Sequence, residues 1–249
     1  LLCVLITGNK ALLKLSKDDT VLMTFAINCL QKAYPELKER IQITERLVDQ
    51  QAVIATGSNN TARYFEYYFG KQPHIIRKNR NSVAILNGDE TADDFDVLGK
   101  DIFDYFGLGC RNVTKLYAPE GYDITRFYDG IEKHNQVLNN SRYANNYTYH
   151  KAIFLMNLHK HLDNGFLIIK EDEKIYSPIG CLNYAFYSDL SKLKAELEQE
   201  KENIQVITSK DAWFPDSIRF GTSQQPSLWD YADGVNTVDF CIKVVSHKS

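Results

Sequence analysis

The sequence predicts an α/β fold in which helices cover both faces of a mostly parallel β-sheet, and three observations support that prediction. Short apolar runs of strand length alternate with longer segments whose apolar residues recur at helical spacing. The segments that join them are short, which is typical of chains where a helix returns the chain to the next parallel strand. Glycine or small polar residues follow several apolar runs, as at Gly57-Ser58, and mark the points where strands end.

Length and composition narrow the class of protein. The 249 residues suit one large domain or two modest ones. Hydrophobic residues make up 44% and the net charge is -3, so the chain has no basic excess to attract nucleic acid, and we expect no nucleic-acid partner. The five cysteines are odd in number and widely spaced, which favours free thiols in the cytoplasm rather than disulfides or a metal site. No apolar run reaches membrane-spanning length.

The first 80 residues predict strands alternating with helices. Strands are expected at 11–15, 41–43, 52–56 and 74–78. Asp18, Asp19 or Thr20 can cap a helix that begins at Val21, and a second helix follows Thr61. The chain opens on a buried apolar segment at 1–6 with no polar lead-in, so we expect an N-terminal portion of the native protein to be missing.

The rest of the chain continues the alternation. Further strands are expected at 82–86, 113–118, 165–169, 180–187 and 204–208. Helices are expected from Thr91 to Phe106, within 122–161, and after Asp189. The loop at 220–234 is polar and aromatic, which is typical of a segment that lines a site. A terminal strand at 238–245 could complete the sheet of a partner subunit, so we expect a homodimer or a larger homo-oligomer.

Cys110 is the candidate nucleophile. The predicted helix stops at Gly107 and Gly109, and these glycines can adopt backbone angles that let a flat substrate group approach the next residue. Arg111 follows and would favour the thiolate form of Cys110. The alternative is a small, buried and chemically inert cysteine.

Two strand ends are candidate cofactor sites. Ser16 and Gly57-Ser58 follow predicted parallel strands, and ligands bind at the carboxyl ends of such strands. The second site also begins a helix, whose free N–H groups favour phosphate. The alternative for Gly57-Ser58 is a tight strand-to-helix turn without a ligand. His159 and His161 lie close together in the sequence, but nothing nearby completes a metal site.

Four motifs, taken in order, resemble the aldehyde dehydrogenase superfamily, and specifically its acyl-CoA reductase (LuxC-like) family. They are Gly8-Asn9 with Leu13-Lys14-Leu15-Ser16, Thr56-Gly57-Ser58 with Thr61, Gly107-Leu108-Gly109-Cys110, and the stretch from Phe220-Gly221 to Gly234. The resemblance covers essentially the whole chain. It implies a parallel Rossmann-type cofactor sheet at 1–80 and a second α/β catalytic domain at 81–234 that bears the cysteine. The predicted terminal strand, at 235–249, is the segment expected to serve oligomerisation.

The resemblance also implies a chemistry. Cys110 would take a fatty acyl group from CoA or another carrier, and NADPH would reduce the resulting thioester to an aldehyde, with the Cys110 N–H stabilising the acyl oxygen. Hydrolytic members carry a general-base Glu near 77–80, where this chain has none. The residues implied to hold the cofactor are Lys14, Ser16, Lys17, Gly57, Ser58 and Thr61.

The sequence leaves more than one cofactor and more than one function open. Lys17 replaces an acidic residue that accepts from both ribose hydroxyls in the superfamily, and its positive charge favours NADPH over NADH. The resemblance further implies an acyl-activating enzyme as a partner. A CoA-acylating aldehyde dehydrogenase, which runs the reaction oxidatively, and a non-catalytic dinucleotide-binding module with an inert thiol are the alternatives. A cysteine hydrolase is disfavoured because no His lies at a recognisable spacing.

Overall fold

The computed structural model describes residues 1–16 and 19–246. The chain folds as two compact units, of which one comprises Leu1–Lys78 with Tyr231–Ser249 and the other Asn79–Asp230. These divisions lie close to the predicted domain boundaries near 80 and 234. The roles that the resemblance assigns to the two domains stay predictions.

The helices and strands follow one another in this order: α1 (Leu2–Ile6), β1 (Ala11–Leu13), α2 (Val21–Ala33), β2 (Ile41–Ile43), β3 (Val53–Thr56), α3 (Asn59–Phe69), β4 (His74–Arg77), β5 (Asn81–Ile85), α4 (Ala92–Phe103), β6 (Val113–Pro119), α5 (Arg126–Ile131), α6 (Ser141–Met156), β7 (Leu162–Asp163), β8 (Ile168–Glu171), β9 (Cys181–Tyr187), α7 (Leu190–Gln199), β10 (Ile204–Ser209), β11 (Ile218–Arg219) and α8 (Thr237–Ser246). Short 3₁₀ turns join several of them. None of the described helices is both long and apolar enough to cross a lipid bilayer.

The first unit contains two small parallel sheets. Strand β1 pairs with β2, and β3 pairs with β4, each in parallel. A core of its own fills the space around the first pair, with Leu5, Ala11, Ile27 and Ile41 buried. The four strands predicted in this part of the chain are therefore confirmed, with slightly different ends.

Both ends of the chain differ from the prediction. The segment at 1–6 is helix α1 rather than an extended buried run, and Leu5 is its buried residue. The predicted terminal strand at 238–245 was wrong, because this segment is helix α8. Asn236 caps the start of this helix: its side chain accepts from the N–H of Asp239 at 3.0 Å and donates to the Asp239 carboxylate at 2.9 Å. The strand-based argument for a dimer therefore no longer applies.

A seven-stranded sheet forms the centre of the second unit. Its strands lie in the order β11-β10-β5-β6-β9-β8-β7. Neighbouring strands are parallel except for β7 and β8 at one edge, which are antiparallel. The predicted α/β fold with a mostly parallel sheet is confirmed.

Helices cover both faces of this sheet. Helices α4, α5 and α6 lie on one face and bury the largest apolar cluster, with Phe95 and Phe127 in edge-to-face contact. Helix α7 covers the other face through Leu193 and Leu197. Gly130 allows α5 to approach α4 closely, because a Cβ at this position would lie 2.3 Å from the Cβ of Phe95.

Helix α4 places the candidate cysteine loop. It begins at a capping box between Thr91 and Asp94, and one of its faces is buried through Phe95, Leu98, Ile102 and Phe103. The helix was predicted to extend to Phe106, but Phe106 lies beyond its end and is 39% exposed. The reason is that Tyr105 and Phe106 adopt φ values of 55° and 60°, so the chain leaves the helix before it reaches Phe106.

Candidate active site

Cys110 lies in the loop between α4 and β6, and its side chain is exposed. Since β6 begins at Val113, the loop lies at the amino-terminal edge of the seven-stranded sheet. Gly107 has a φ of +69°, in the region that glycine adopts without strain. Gly109 has a different role: it makes room for the side chain of Asn112, because a Cβ at position 109 would lie only 3.1 Å from the Oδ1 of Asn112.

The buried side chain of Asn112 holds the cysteine loop in place. Its Oδ1 accepts from the N–H of Gly109 at 2.8 Å. Its Nδ2 donates to the carbonyls of Asp101, Ile102 and Asp104 at 3.2, 3.1 and 2.8 Å. These carbonyls end α4, where helices leave acceptors without intrahelical partners. One side chain therefore caps the helix and fixes the peptide that precedes Cys110.

A second contact ties the loop to the sheet. The buried Ser82 of β5 donates through its Oγ to the carbonyl of Cys110 at 3.0 Å. The backbone of Cys110 is therefore fastened from both sides while its side chain stays exposed. This arrangement suits a nucleophile, which must reach a substrate without moving its own backbone.

The buried carboxylate of Asp101, near the end of α4, fastens the start of the polar and aromatic loop at 220–234. It accepts from the N–H groups of Gly221 at 2.7 Å and Ser223 at 2.9 Å. Burial raises the pKa of Asp101, although these two N–H groups oppose the shift. Arg111, next to the cysteine, donates to the carbonyl of Ser223 at 3.1 Å. Asp101 and Arg111 therefore connect the helix end and the cysteine loop to the start of the loop at 220–234.

Gln224 follows directly on this fastened segment. Its Nε2 is shielded from solvent and has no hydrogen-bond partner among the described residues. The same atom lies 3.9 Å from the point where a Cβ on Gly109 would stand. A buried amide donor without a partner costs about 1–3 kcal/mol of stability.

Glu90 is fully buried, but its position excludes it as a base for Cys110. It follows the carboxyl end of β5, whereas the cysteine loop lies at the amino-terminal edge of the same sheet. Its two oxygens accept from the N–H groups of Asn87 at 2.7 Å and Gly88 at 3.0 Å. Burial raises the pKa of Glu90 against these two hydrogen bonds. Glu90 therefore stabilises the turn at Asn87 and Gly88 that follows β5.

The histidines considered as metal ligands pack against an aromatic ring. The rings of His159 and His161 both lie 5.7 Å from that of Phe154. In the part of the chain that the structure describes, no three His, Cys, Asp or Glu side chains are grouped as metal ligands.

The predicted cofactor residues Gly57, Ser58 and Thr61 come together at the start of α3. Ser58 caps the helix, and its Oγ accepts from the N–H of Thr61 at 3.2 Å and lies 2.9 Å from the Thr61 hydroxyl. A Cβ at Gly57 would stand 3.0 Å from the Thr61 side chain, so the turn is closed to larger residues. Backbone N–H groups at such a helix start suit a phosphate.

The other predicted cofactor residues lie elsewhere. Lys14 and Ser16 are exposed and come after β1, which belongs to the other two-stranded sheet of the same unit. Lys17 lies outside the described residues. Gly57, Ser58 and Thr61 therefore come together in the first unit, whereas Cys110 belongs to the second unit.

No local sequence pattern marks Asn112 or Asp101, because each is a polar residue whose hydrogen-bond partners come from other segments. The available signal for Asn112 was weak: an amide two residues after the cysteine, directly before an apolar strand.

Comparisons with known proteins extend this description. No protein-family model and no curated protein matches the sequence. Among solved structures, a bifunctional proline utilization A protein is similar at 14% identity with a TM-score of 0.64, over 83% of this chain and 25% of its own. An indole-3-acetaldehyde dehydrogenase of P. syringae in complex with NAD+ is similar at 12% identity with a TM-score of 0.61, over 86% of this chain and 53% of its own.

A Δ-pyrroline-5-carboxylate dehydrogenase from Mycobacterium tuberculosis bound with NAD is similar at 12% identity with a TM-score of 0.59. The match covers 83% of this chain and 47% of that protein. The chain therefore spans between a quarter and about half of the length of these three proteins. At such low identity the likeness concerns the fold, and the chain has the aldehyde dehydrogenase fold.

Proposed function

We propose that this chain is part of an NADPH-dependent acyl-CoA reductase of the LuxC-like kind, which converts an activated fatty acyl group to an aldehyde through a thioester on Cys110. The observation that carries the proposal is the exposed Cys110 side chain on a backbone fixed by Asn112 and Ser82. The aldehyde dehydrogenase fold and the four sequence motifs support it.

The chain's own residues account for acyl transfer. The Cys110 thiolate attacks the thioester carbon of acyl-CoA, a new carbon–sulfur bond forms, and CoA leaves as its thiolate. The N–H of Cys110 would donate to the acyl oxygen as charge develops on it. The segment at 77–80 has no carboxylate to activate water, which favours a thioester that survives until it is reduced.

The residues present at the start of α3 fit a dinucleotide. The turn at Gly57 leaves no room for a side chain, and the helix start behind Ser58 offers backbone N–H groups to a pyrophosphate. Lys14, Ser16 and Lys17 would complete the hold on the cofactor, with Lys17 favouring the 2′-phosphate of NADPH over NADH. When bound, the nicotinamide would supply the hydride that reduces the acyl group.

The sequence resemblance supports two further parts of the proposal: the substrate is acyl-CoA or an acyl carrier, and an acyl-activating enzyme is a partner. The widely spaced cysteines support a cytoplasmic location. A CoA-acylating aldehyde dehydrogenase would use the same groups in the oxidative direction. Comparing the rate with acyl-CoA and NADPH against the rate with aldehyde, NAD and CoA separates the two directions.

Labelling with radioactive acyl-CoA tests the nucleophile. We expect the native polypeptide to form a covalent acyl adduct, and Cys110→Ala to abolish it because the attacking sulfur is lost. Cys29→Ala is the matched control, since Cys29 is also an exposed free thiol and should leave the labelling unchanged. Persistent labelling of Cys110→Ala would remove Cys110 as the nucleophile.

A further inference from the structure

We infer that a cavity at the end of α4 binds a small organic cation. The inference does not depend on the proposed acyl transfer. The cavity measures about 490 Å³, a volume common among small-molecule sites. One wall consists of residues 103–106, which run from the last residue of α4 towards the cysteine loop. The other wall belongs to the turn that leads into α6 and consists of His134, Gln136, Val137, Asn139 and Asn140.

The first wall is mostly aromatic. Phe103 is buried, and its ring lies 5.2 Å from that of His134 in a stacked arrangement and 5.6 Å from that of Phe166, so this part of the wall is closely packed. Tyr105 and Phe106 are exposed instead, at 69% and 39%. The negative faces of aromatic rings attract organic cations. The cavity therefore offers a surface that suits such a ligand.

The backbone of this wall is held in an unfavourable conformation. Tyr105 and Phe106 have φ values of 55° and 60°, where the Cβ of an L-residue crowds its own backbone. The carbonyl of the preceding Asp104 accepts from the Asn112 amide at 2.8 Å, which fixes the start of this turn. Residues held in sparsely populated conformations cluster at ligand-binding sites. Here the conformation keeps two aromatic side chains out of the core and at the cavity.

The charge of the lining selects the sign of the ligand. Asp104 contributes a carboxylate that forms no ion pair and no hydrogen bond with a described residue. Among the described residues, no Lys or Arg lines the cavity. The Nε2 of His134 lies 3.0 Å from the carbonyl and 3.3 Å from the carboxylate of Asp96, so that carboxylate balances any positive charge on the ring. The lining therefore favours a cation and disfavours an anion.

The second wall adds groups for the rest of the ligand. The side-chain amides of Gln136, Asn139 and Asn140 can donate and accept hydrogen bonds, which suits a hydroxyl or amide group on the ligand. The geometry is that of a site for an alkylammonium ion with a polar tail. Its charged group would lie against Tyr105 and Phe106, beside the Asp104 carboxylate.

Choline is the probe for this site, and its uncharged carbon isostere, in which a tert-butyl group replaces the trimethylammonium group, is the matched control. With the 249-residue chain we expect choline to bind roughly tenfold more tightly than the isostere in ligand-observed nuclear magnetic resonance titrations. The carboxylate of the same carbon skeleton should bind more weakly than either. Equal binding of choline and the isostere, or no binding of choline, would overturn the inference.

Phosphocholine distinguishes a free amine from a lipid headgroup. Its phosphate would meet a lining without Lys or Arg, so we expect it to bind more weakly than choline. Binding as tight as that of choline, or tighter, would assign the cavity to a headgroup and overturn the inference.

Variants locate the binding. Asp104→Asn should weaken choline binding roughly tenfold and leave the isostere unchanged, and Asp104→Glu should restore the preference. Asp93→Asn makes the same charge change near the start of α4 and should have no effect. Tyr105→Leu should weaken choline binding because an aromatic face is lost, whereas Tyr149→Leu, at an exposed position of α6, should not.

Circular dichroism checks that each variant folds. If Asp104→Asn and Tyr105→Leu bind choline as tightly as their controls do, the ligand lies elsewhere and the inference is wrong. If a variant does not fold, the comparison of choline with its isostere on the unchanged chain still decides the outcome.

Discussion

Asn112 shows how much of this site depends on one side chain. It is buried between the end of α4 and the start of β6, and its oxygen and nitrogen both bind backbone groups. Its donors take carbonyls that would otherwise remain unpaired at the helix end. The position of Cys110 therefore depends on an amide two residues later in the chain.

We expect Asn112→Ala to lower the free energy of unfolding of the second unit by about 2–3 kcal/mol, because buried backbone groups lose their partners. Urea unfolding followed by tryptophan fluorescence measures this, since Trp213 and Trp229 both lie in the second unit. Asn135→Ala, at an exposed position, is the control and should be nearly neutral. A change in Asn112→Ala no larger than that of the control would contradict the role of Asn112.

At the scale of elements, Asp163 joins helix α6 to the antiparallel edge of the sheet. It accepts from the Tyr147 hydroxyl at 2.7 Å and from the N–H of Gly165 at 2.8 Å, and it pairs with Lys151 at 2.7 Å. Burial alone would raise the pKa of Asp163, but these three partners outweigh it and hold the pKa below its usual range. The ionised form is thus the one that stabilises the fold.

Because the folded pKa of Asp163 is lowered, its stabilisation is complete above the unfolded value of about 3.9 and is lost as the pH falls through the folded value. In Lys151→Met the pKa of Asp163 should rise towards its unfolded value, so the variant should be less stable than the wild type at neutral pH and should lose less stability on acidification. Urea unfolding at a series of pH values from neutral to acid measures both effects. Lys160→Met, at an exposed position shortly before Asp163 in the chain, should keep the wild-type profile. An identical profile in Lys151→Met would refute the assignment.

At the scale of the whole molecule, the candidate functions fall on separate units. The helix start at Ser58 belongs to the first unit and Cys110 to the second. Cofactor binding and thiol chemistry can therefore be measured independently. If the proposed function holds, acylation would report on the second unit and binding of the reduced cofactor on the first.

We expect Lys17→Glu to weaken NADPH binding about tenfold or more, roughly 1.4 kcal/mol, while NADH binding changes less, because the 2′-phosphate loses its positive partner. Titration followed by nicotinamide fluorescence measures both affinities. Lys71→Glu makes the same charge change just after the far end of α3 and controls for net charge. Equal weakening of NADPH and NADH would count against a role for Lys17 in choosing the cofactor.

The alternation of strands and helices, the mostly parallel sheet and the place of Cys110 between a helix and a strand could all be predicted from the sequence. These features depend on local apolar periodicity, which a linear pattern records. The same reasoning failed at 238–245, where an apolar run fits a strand or a helix and the capping pair Asn236 and Asp239 decides for the helix.

The surroundings of the cysteine depend on tertiary packing. Asp101 binds Ser223, 122 residues further along the chain. Such contacts are set by how α4, β6 and that distant loop pack together, and the pairing of a buried polar group with its partner leaves no periodic trace in the sequence. The place of Cys110 in a loop between a helix and a strand could therefore be predicted from the sequence, whereas the side chains that hold its backbone could not.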